Sequence, residues 1–336
     1  MSTTYSNASL IRLIHQSLDR LELNLEGYSV LTEGAAGYFA STPIIALLAG
    51  ADRVFSLTKD SPYGSYLEVE EQLLALIREA GLPQYKFSLS TTRDLNWFRN
   101  ADIVTNLNFV RPISAEIIQV MKIGSVIPLM FEAWEFRHSD LDLEACHRRG
   151  VKVVATNEHF PLSNVFGYTG WLGLKLLLEA EIEIFRSRII IISEDLFGLE
   201  VNKLLTNYAD SVHVFDKISE VPKQIWKDAD AIIIADFKND DLVIGPNSPM
   251  PIEKLMELNP HITIIPYIGW VDTVSLKNAG FRVHPQDNSC PRRMSRTLAY
   301  LGPRPIIDLH VMGLKCAELV IKNSTDPTYQ GLYQLL

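Results

Sequence analysis

The sequence has few cysteines, and it has no concentration of positive charge. Cys146, Cys290 and Cys316 are scattered with no C-x-x-C spacing, which argues against a disulfide framework and against structural zinc. No block of Lys or Arg stands out, and the formal net charge is -9. Nucleic-acid binding needs a basic surface, so we expect no nucleic-acid partner. The scattered cysteines lead us to expect no metal site either.

Long apolar runs are missing as well. The most apolar helical stretch, "GWLGLKLLLEA", is short and contains Lys175 and Glu179, so it cannot span a bilayer. The first residues, "MSTTYSNASLIRLIHQ", lack the charged start and apolar run of a secretory signal. These absences predict a cytoplasmic protein with no membrane partner.

What the sequence does contain is a regular alternation of strands and helices. A chain of 336 residues is longer than one core usually serves, and alternation indicates parallel sheets wrapped by helices. We therefore predict an α/β protein with two doubly wound parallel-sheet domains of the Rossmann or flavodoxin type, joined by a long helix over about 164–185. The first domain covers 1–160 and is joined by a C-terminal helix at 305–323, and the second covers 161–304.

Glycine is scarce where a dinucleotide-binding turn would need it. In "IIIISEDLFGLEV" the three glycine positions of G-x-G-x-x-G are occupied by Ser193, Asp195 and Gly198. Acidic residues favour a helix N-terminus but repel a pyrophosphate. Asp216 follows about 20 residues on, where an acid commonly accepts hydrogen bonds from a ribose. Either the turn binds NAD or NADP with altered chemistry, or it is only structural.

A second strand-to-helix turn is rich in small residues. "TEGAAGYFASTP" includes Gly34 and Gly37, and the next strand ends in "TKDSPYG". Both loops are expected at the carboxyl edge of one sheet, where ligands bind. They form a candidate ligand site with Lys59, Asp60 and Ser61, and the alternative is ordinary tight loops. The E-G-A-A-G stretch also suits an adenosylmethionine loop, although the usual third glycine is absent.

Two further stretches carry candidate functional side chains. "MFEAWEFRHSD" follows a buried strand and is dense in polar and aromatic groups, with Glu132, Trp134, Glu135 and Arg137. Loops at strand ends tend to carry function, and the alternative is a plain salt bridge of Arg137 with a glutamate. His310 lies near the start of the last helix, and histidine has a pKa suited to proton transfer near neutral pH.

Several of these stretches together resemble a known family. "SDLDLEACHRRGVKVVATN", "IIIISEDLFG", "IIPYIGWVDTVSLKNAGF" and "DLHVMG" occur in the order found in the D-2-hydroxyacid dehydrogenases of the formate/glycerate dehydrogenase group, over roughly two-thirds of the chain. The resemblance implies that His310 is the general acid-base residue. It also implies that Gly198 and Asp216 bind the cofactor, so that 161–304 is a Rossmann-like cofactor domain with a degenerate glycine motif. The first domain would then bind the substrate.

The resemblance further implies a homodimer formed through helices of the cofactor domain, and the small-residue stripe of Gly167, Gly170 and Gly173 suits close helix contact. The sequence departs from the family where an arginine should hold the substrate carboxylate, because Ile268 precedes Gly269 there. Asp287 is a candidate acidic partner for His310.

We predict a divergent dehydrogenase-like enzyme that binds NAD or NADP and acts on a small polar metabolite in the interdomain cleft. Glu132, Arg137 and His310 would be catalytic, while Trp134, Glu135 and Arg292 would bind substrate. The alternative is a non-redox ligand-binding or group-transfer protein that uses the 32–37 and 58–64 loops. A purely structural protein without a ligand is the third interpretation.

Overall fold

The computed structural model describes residues 5–287 and 289–336, which divide into two compact units. One unit combines the chain up to Val165 with Gly302–Leu336, and the other is Phe166–Leu301. The first unit is therefore built from two separate segments of the chain. No helix within the described ranges combines the length and apolar character needed to cross a membrane.

Strands and helices alternate through both units, as the sequence predicts. The described strands are β1 Ser29–Glu33, β2 Arg53–Leu57, β3 Phe87–Ser90, β4 Ile103–Val104, β5 Val126–Pro128, β6 Lys152–Thr156, β7 Arg188–Ile192, β8 Ser211–Phe215, β9 Ala231–Ala235, β10 Leu242–Ile244, β11 Thr263–Ile268, β12 Trp270–Val271, β13 Arg282–Val283 and β14 Tyr333–Leu335.

The described α-helices are α1 Asn7–Leu21, α2 Ser41–Leu48, α3 Tyr66–Glu79, α4 Leu95–Asn100, α5 Ala115–Val120, α6 Leu143–Arg149, α7 Tyr168–Glu179, α8 Leu196–Leu205, α9 Lys223–Asp228, α10 Ile252–Leu258, α11 Thr273–Asn278 and α12 Arg304–Ile321. Some of their ends carry capping groups. Ser65 and Glu68 form a capping box at the start of α3, and Gly150 ends α6 in the left-handed conformation.

The sheet of the first unit has the strand order β14-β6-β5-β4-β1-β2-β3. All neighbours are parallel except β14, which runs antiparallel to β6. Without β14 this is the order 3-2-1-4-5-6 of dinucleotide-binding domains, and the order reverses between β1 and β4. Helices α4, α5 and α6 pack on one face, while α12 packs against β5, β6, α1 and α2 on the other.

The larger sheet of the second unit is entirely parallel, in the order β13-β11-β9-β7-β8, and β10 pairs with β12 in a separate two-stranded sheet. The order of the larger sheet corresponds to the flavodoxin-type order 2-1-3-4-5, with its reversal between β7 and β9. The isoleucine run of β7 serves two cores. Ile189 and Ile191 face the side of α7 and α8, while Ile190 and Ile192 face the side of α9 and α10. Burial on both faces explains why this strand is continuously apolar.

The fold class predicted from the sequence is confirmed. The helix expected over 164–185 is α7, which has only 12 residues and begins after a 3-10 turn at Val165–Gly167. The two units differ in strand order, because the first has the Rossmann order and the second has the flavodoxin-type order.

The glycines of α7 have a role within the chain. A Cβ on Gly170 would lie 2.5 Å from the Glu200 carbonyl oxygen, and one on Gly173 would lie 2.5 Å from a Val201 methyl carbon. Both contacts are with α8 of the same unit. These two glycines of the predicted small-residue stripe therefore let α7 and α8 pack closely, and they are not free for contact with a second chain.

Candidate functional site

The start of α8, where a pyrophosphate site was predicted, is closed by the chain's own side chains. One oxygen of the Asp195 carboxylate accepts the Phe197 N–H at 2.9 Å, and the other accepts the Phe237 N–H at 2.7 Å. The Ser193 Oγ accepts the Gly198 N–H at 3.2 Å. A bound phosphate would need such donors at a helix N-terminus, and here they already have partners.

The remaining residues of that predicted site do not restore it. Gly198 is required by packing, because a Cβ there would collide with the Ser193 side chain. Asp216 is exposed just after β8. Burial and the neighbouring Asp195 carboxylate raise the pKa of Asp236. The structure thus argues against the predicted cofactor roles of Ser193, Asp195, Gly198 and Asp216, because negative charge is placed where a phosphate would bind.

The corresponding crevice of the first unit lies between β1 and β4. The Thr105 hydroxyl donates to the Thr32 hydroxyl across this point at 2.9 Å. Glu33, at the end of β1, is buried, and burial raises the pKa of its carboxyl group. Its carboxyl oxygen accepts the Phe109 N–H at 3.2 Å. Polar side chains therefore converge where the strand order reverses, which is where doubly wound sheets bind ligands.

The small-residue turn after β1 is fixed at its C-terminal end by a side chain of α3. Gln72 clamps Gly37, accepting its N–H at 3.1 Å and donating to its carbonyl oxygen at 2.9 Å. Gly37 has a φ of +68°, a conformation that side chains disfavour. The 3-10 turn Gly37–Ala40 and α2 both begin without a side-chain cap. The first N–H of the 3-10 turn is therefore accepted by Gln72, and the Ser41 N–H at the start of α2 is accepted by the Tyr38 and Phe39 carbonyls.

Two buried side chains beside this crevice lack hydrogen-bond partners. Asn106 follows β4, has no exposed surface, and both atoms of its amide group are unpartnered among the described residues. The same holds for the hydroxyl of Thr58, which follows β2. Burying a polar group without a partner costs about 1–3 kcal/mol. Such atoms indicate a place where a ligand or water completes the bonding.

The loop after β2 packs against the small-residue turn. The Gly34 N–H donates to the Leu57 carbonyl at 2.8 Å. A Cβ placed on Gly64 would lie 3.0 Å from the Ala36 methyl group, so the loop and the turn are in close contact. Of the predicted ligand residues in this loop, Lys59 is exposed with its ammonium group 5.4 Å from the centre of the Phe109 ring.

Two other predicted ligand residues of this loop have structural partners. Asp60 accepts the N–H of Tyr66, the first residue of α3, at 2.6 Å. The Ser61 hydroxyl accepts the Tyr63 N–H at 3.2 Å, and Ser61 forms an isolated bridge with Gly64. These bonds fix the conformation of the loop. Lys59 is not part of them, and its ammonium group lies over the Phe109 ring.

Three carboxyl groups gather where β5 and β6 end. Glu132 accepts the Glu158 N–H at 3.0 Å and the indole N–H of Trp134 at 2.7 Å. Glu135 accepts the Glu132 N–H at 3.4 Å. Burial raises the pKa of Glu158 to about 8, helped by the negative charges of Glu135 and Glu132. His159 also lies 3.9 Å from Glu132. Glu158, which no sequence pattern singles out, therefore holds a proton near neutral pH.

The predicted arginines lie in exposed ion pairs. Arg137 Nε is 3.5 Å from the Asp140 carboxylate, and this supports the simpler interpretation as a salt bridge, although with an aspartate and not a glutamate. Arg292 pairs with Asp240 at 2.7 Å in the second unit. Surface pairs of this kind contribute about 0–1 kcal/mol. Neither contact indicates a substrate role.

His310 is placed in the packed interior of the first unit. It is 2% exposed, its Nδ1 lies 2.6 Å from the Thr42 hydroxyl, and its ring is 6.1 Å from that of Phe39. Burial lowers its pKa from 6.5 to about 4, so it is neutral at physiological pH. Asp287, its suggested partner, pairs with Arg296 at 2.5 Å in the second unit. This position favours a packing role for His310 over proton exchange with a substrate.

Two other cavities of the surface are not lined by candidate functional residues. A cavity of about 430 Å³ is lined by residues of α3, β3 and the turn between them, and one of about 190 Å³ lies beside β7 and α9. Neither contains a predicted site residue. Within residues 5–287 and 289–336, no group of three or more His, Cys, Asp or Glu side chains is arranged to hold a metal ion.

Two doubly wound α/β units, one with a polar crevice at its strand reversal, define the class of fold. The sequence matches no family model and no curated protein. Among solved structures, a dipicolinate synthase chain from Bacillus halodurans is 12% identical, with a TM-score of 0.49 over 90% of this chain and 100% of that one. An NAD+-bound 3-phosphoglycerate dehydrogenase from Entamoeba histolytica is 11% identical, with a TM-score of 0.41 over 89% and 97%.

An NAD-complexed D-isomer specific 2-hydroxyacid dehydrogenase from Lactobacillus delbrueckii ssp. bulgaricus is 9% identical, with a TM-score of 0.44 over 89% of this chain and 99% of that one. At these identities and TM-scores the comparisons carry no argument about function, which has to be argued from the residues of this chain.

Proposed function

We propose that the protein is a dehydrogenase-like enzyme that binds a nicotinamide dinucleotide at the carboxyl edge of the first sheet. The observation that carries this proposal is the buried, unpartnered amide group of Asn106 beside the reversal between β1 and β4. A dinucleotide lies across such a reversal, and its polar groups can complete the hydrogen bonds of the amide.

The residues of this edge suit different parts of the cofactor. The backbone of the Gly34–Gly37 turn would face the pyrophosphate, since small residues allow close approach. Asn106, at the next strand, would bind the nicotinamide half. When bound, the nicotinamide supplies a carrier for hydride. The substrate is a small polar metabolite in this proposal.

Proton transfer in this proposal is assigned to Glu158 and not to His310. A group that exchanges protons near neutral pH needs a pKa close to the working pH, and burial beside two other carboxyl groups raises that of Glu158 to about 8. Glu132 would hold Glu158 in position through its hydrogen bond to the Glu158 N–H. The exposed Trp134 would flank the substrate.

Binding can be tested directly with Asn106→Leu. Reduced nicotinamide fluorescence is titrated with the native protein and with this variant. We expect binding by the native protein and a loss of about 5- to 150-fold with Asn106→Leu, because the amide contacts are worth about 1–3 kcal/mol. The matched control is Asn259→Leu in the second unit, where the amide already donates to the Trp226 and Ala229 carbonyls. Unchanged affinity in Asn106→Leu would contradict the proposal.

A non-redox function on the same scaffold is the second candidate, and Glu33 favours it. Its carboxyl group reaches the Phe109 N–H across the crevice, close to where a pyrophosphate would pass. A neutral or cationic ligand would tolerate this acid better than a pyrophosphate would. If no dinucleotide binds to native protein while Glu33→Gln gains phosphate binding, this candidate is preferred.

We also retain the homodimer and the cytoplasmic location as proposals. The second unit exposes large apolar side chains on α7 and α8, namely Trp171, Leu178, Leu196 and Leu199. Exposed apolar groups of this size commonly belong to interfaces. Sedimentation of native protein and of Trp171→Lys would test the dimer, which we expect the substitution to weaken.

A further inference from the structure

The end of β2 lies directly beside the small-residue turn. The Gly34 N–H donates to the Leu57 carbonyl at 2.8 Å, so the residue that follows, Thr58, adjoins the turn. In the strand order 3-2-1-4-5-6, the end of the second strand faces the ribose of the adenosine half. The side chains at this position therefore decide which ribose is accepted.

This position offers no carboxylate to ribose hydroxyls. Thr58 occupies it with a buried hydroxyl that lacks a partner. The nearest acid along the chain, Asp60, already accepts the Tyr66 N–H at 2.6 Å. An unphosphorylated ribose is usually held by an acid at this place, which Thr58 and Lys59 occupy here, while Asp60 lies further on and bonds the start of α3 through one of its carboxylate oxygens.

Positive charge takes the place of the acid. Lys59 is exposed, and its ammonium group stays 5.4 Å from the centre of the Phe109 ring, an arrangement that suits a cation–π contact. Phe109 donates its N–H to Glu33 at the end of β1, so this contact keeps Lys59 on the side of the crevice. A lysine ammonium and a threonine hydroxyl are ordinary donors to a phosphate dianion.

We propose that Thr58 and Lys59 form a subsite for the 2'-phosphate of a phosphorylated dinucleotide, so that NADP is preferred over NAD. This inference rests on the proposed dinucleotide function. The phosphate would accept the unpartnered Thr58 hydroxyl and would be neutralised in part by Lys59. The exposed Lys59 side chain has the freedom to turn from Phe109 towards such a group.

The test compares the two cofactors and their adenosine halves. Dissociation constants of NADPH, NADH, 2',5'-ADP and 5'-AMP are measured for native protein, Lys59→Ala, Lys59→Arg and Thr58→Val. We expect native protein to prefer NADPH and 2',5'-ADP by about 10- to 100-fold, as one charge-assisted contact is worth about 1.5–3 kcal/mol. Lys59→Ala should remove most of this preference and leave NADH affinity unchanged, while Lys59→Arg should keep it.

The controls separate this inference from the proposal beneath it. Lys203→Ala removes an exposed lysine that pairs with Glu200 in the second unit, and it should change no affinity. Thr58→Val should lower the affinity for 2',5'-ADP without unfolding the protein, since its hydroxyl has no partner to lose. Equal affinity for NADPH and NADH, or an equal loss of both in Lys59→Ala, overturns the 2'-phosphate subsite alone. Binding of neither cofactor overturns the dinucleotide function as well.

Discussion

The Asp195 carboxylate accepts the backbone N–H of Phe237 at 2.7 Å and so ties the end of β7 to the end of β9. These two strands flank the reversal of strand order in the second unit. The same carboxylate caps α8. A negative charge supplied by the chain thus bonds the donors that a phosphate would use, which directs the search for a ligand to the other sheet.

Replacing Asp195 should affect stability and not ligand binding. Asp195→Ala removes the α8 cap and the bond to Phe237, and we expect it to lower the free energy of unfolding by about 1–3 kcal/mol. Urea unfolding followed by fluorescence of the buried Trp226 measures this change. Asp216→Ala, at an exposed site, is the control and should alter neither property. Loss of dinucleotide affinity in Asp195→Ala would return the cofactor to the second unit.

Asn106 and Asn259 should respond in opposite ways to the same substitution. Asn106→Leu replaces an unpartnered buried amide, so we expect the ligand-free protein to become more stable by about 1 kcal/mol or more. Asn259→Leu breaks two bonds to carbonyl oxygens and should destabilise by about 2–3 kcal/mol. Thermal unfolding without ligand distinguishes them. A destabilised Asn106→Leu would mean that the native amide has partners in solution.

The burial of His310 predicts a loss of stability on the acid side. Its pKa is lowered from 6.5 to about 4, so the ring is neutral in both states above pH 6.5. Between these values the unfolded chain takes up a proton that the folded protein does not, and stability falls as the pH falls, by up to about 3 kcal/mol. His310→Gln should flatten this part of the curve of unfolding free energy against pH. An unchanged curve would show that the ring is not buried in solution.

Glu158 predicts a loss of stability in the alkaline direction. Burial and the charges of Glu135 and Glu132 raise its pKa from 4.5 to about 8, so between these values the folded protein binds a proton that the unfolded chain has released. Stability therefore falls as the pH rises through this range. Glu158→Gln should remove the fall, and its advantage over native protein should grow from pH 5 to pH 8. Arg137, which acts on Glu135, and His159, near Glu132, are the other charged groups at this cluster.

Much of the fold was accessible from local patterns, because most strands are buried on both faces and most helices have one apolar face. Ile189–Ile192 is the clearest example. Local sequence patterns do not indicate α4 and β14, which are short and depend on distant partners. Phe98 of α4 packs into the core against several strands, and the three residues of β14 pair with β6 more than 150 positions earlier.

The site was harder to predict because its chemistry depends on which atoms find partners. The small-residue turn and Lys59 could be identified from their place after strands. No local sequence pattern distinguishes Asn106 from Asn259. The amide of Asn259 donates to two carbonyl oxygens that lie about 30 positions earlier in the chain, whereas the amide of Asn106 has no such partners within the part of the chain that the structure describes. Asp195 likewise gains its second bond from a residue 42 positions later.

The two-segment construction of the first unit has a consequence for the chain while it is being made. The second unit, Phe166–Leu301, is contiguous and is translated completely before α12 begins. Helix α12 is almost wholly buried against the first sheet, with Val311, Leu314 and Cys316 at its centre. A ribosome that stalls before α12 would thus release one finished unit and one with its apolar interior open to proteases and to aggregation.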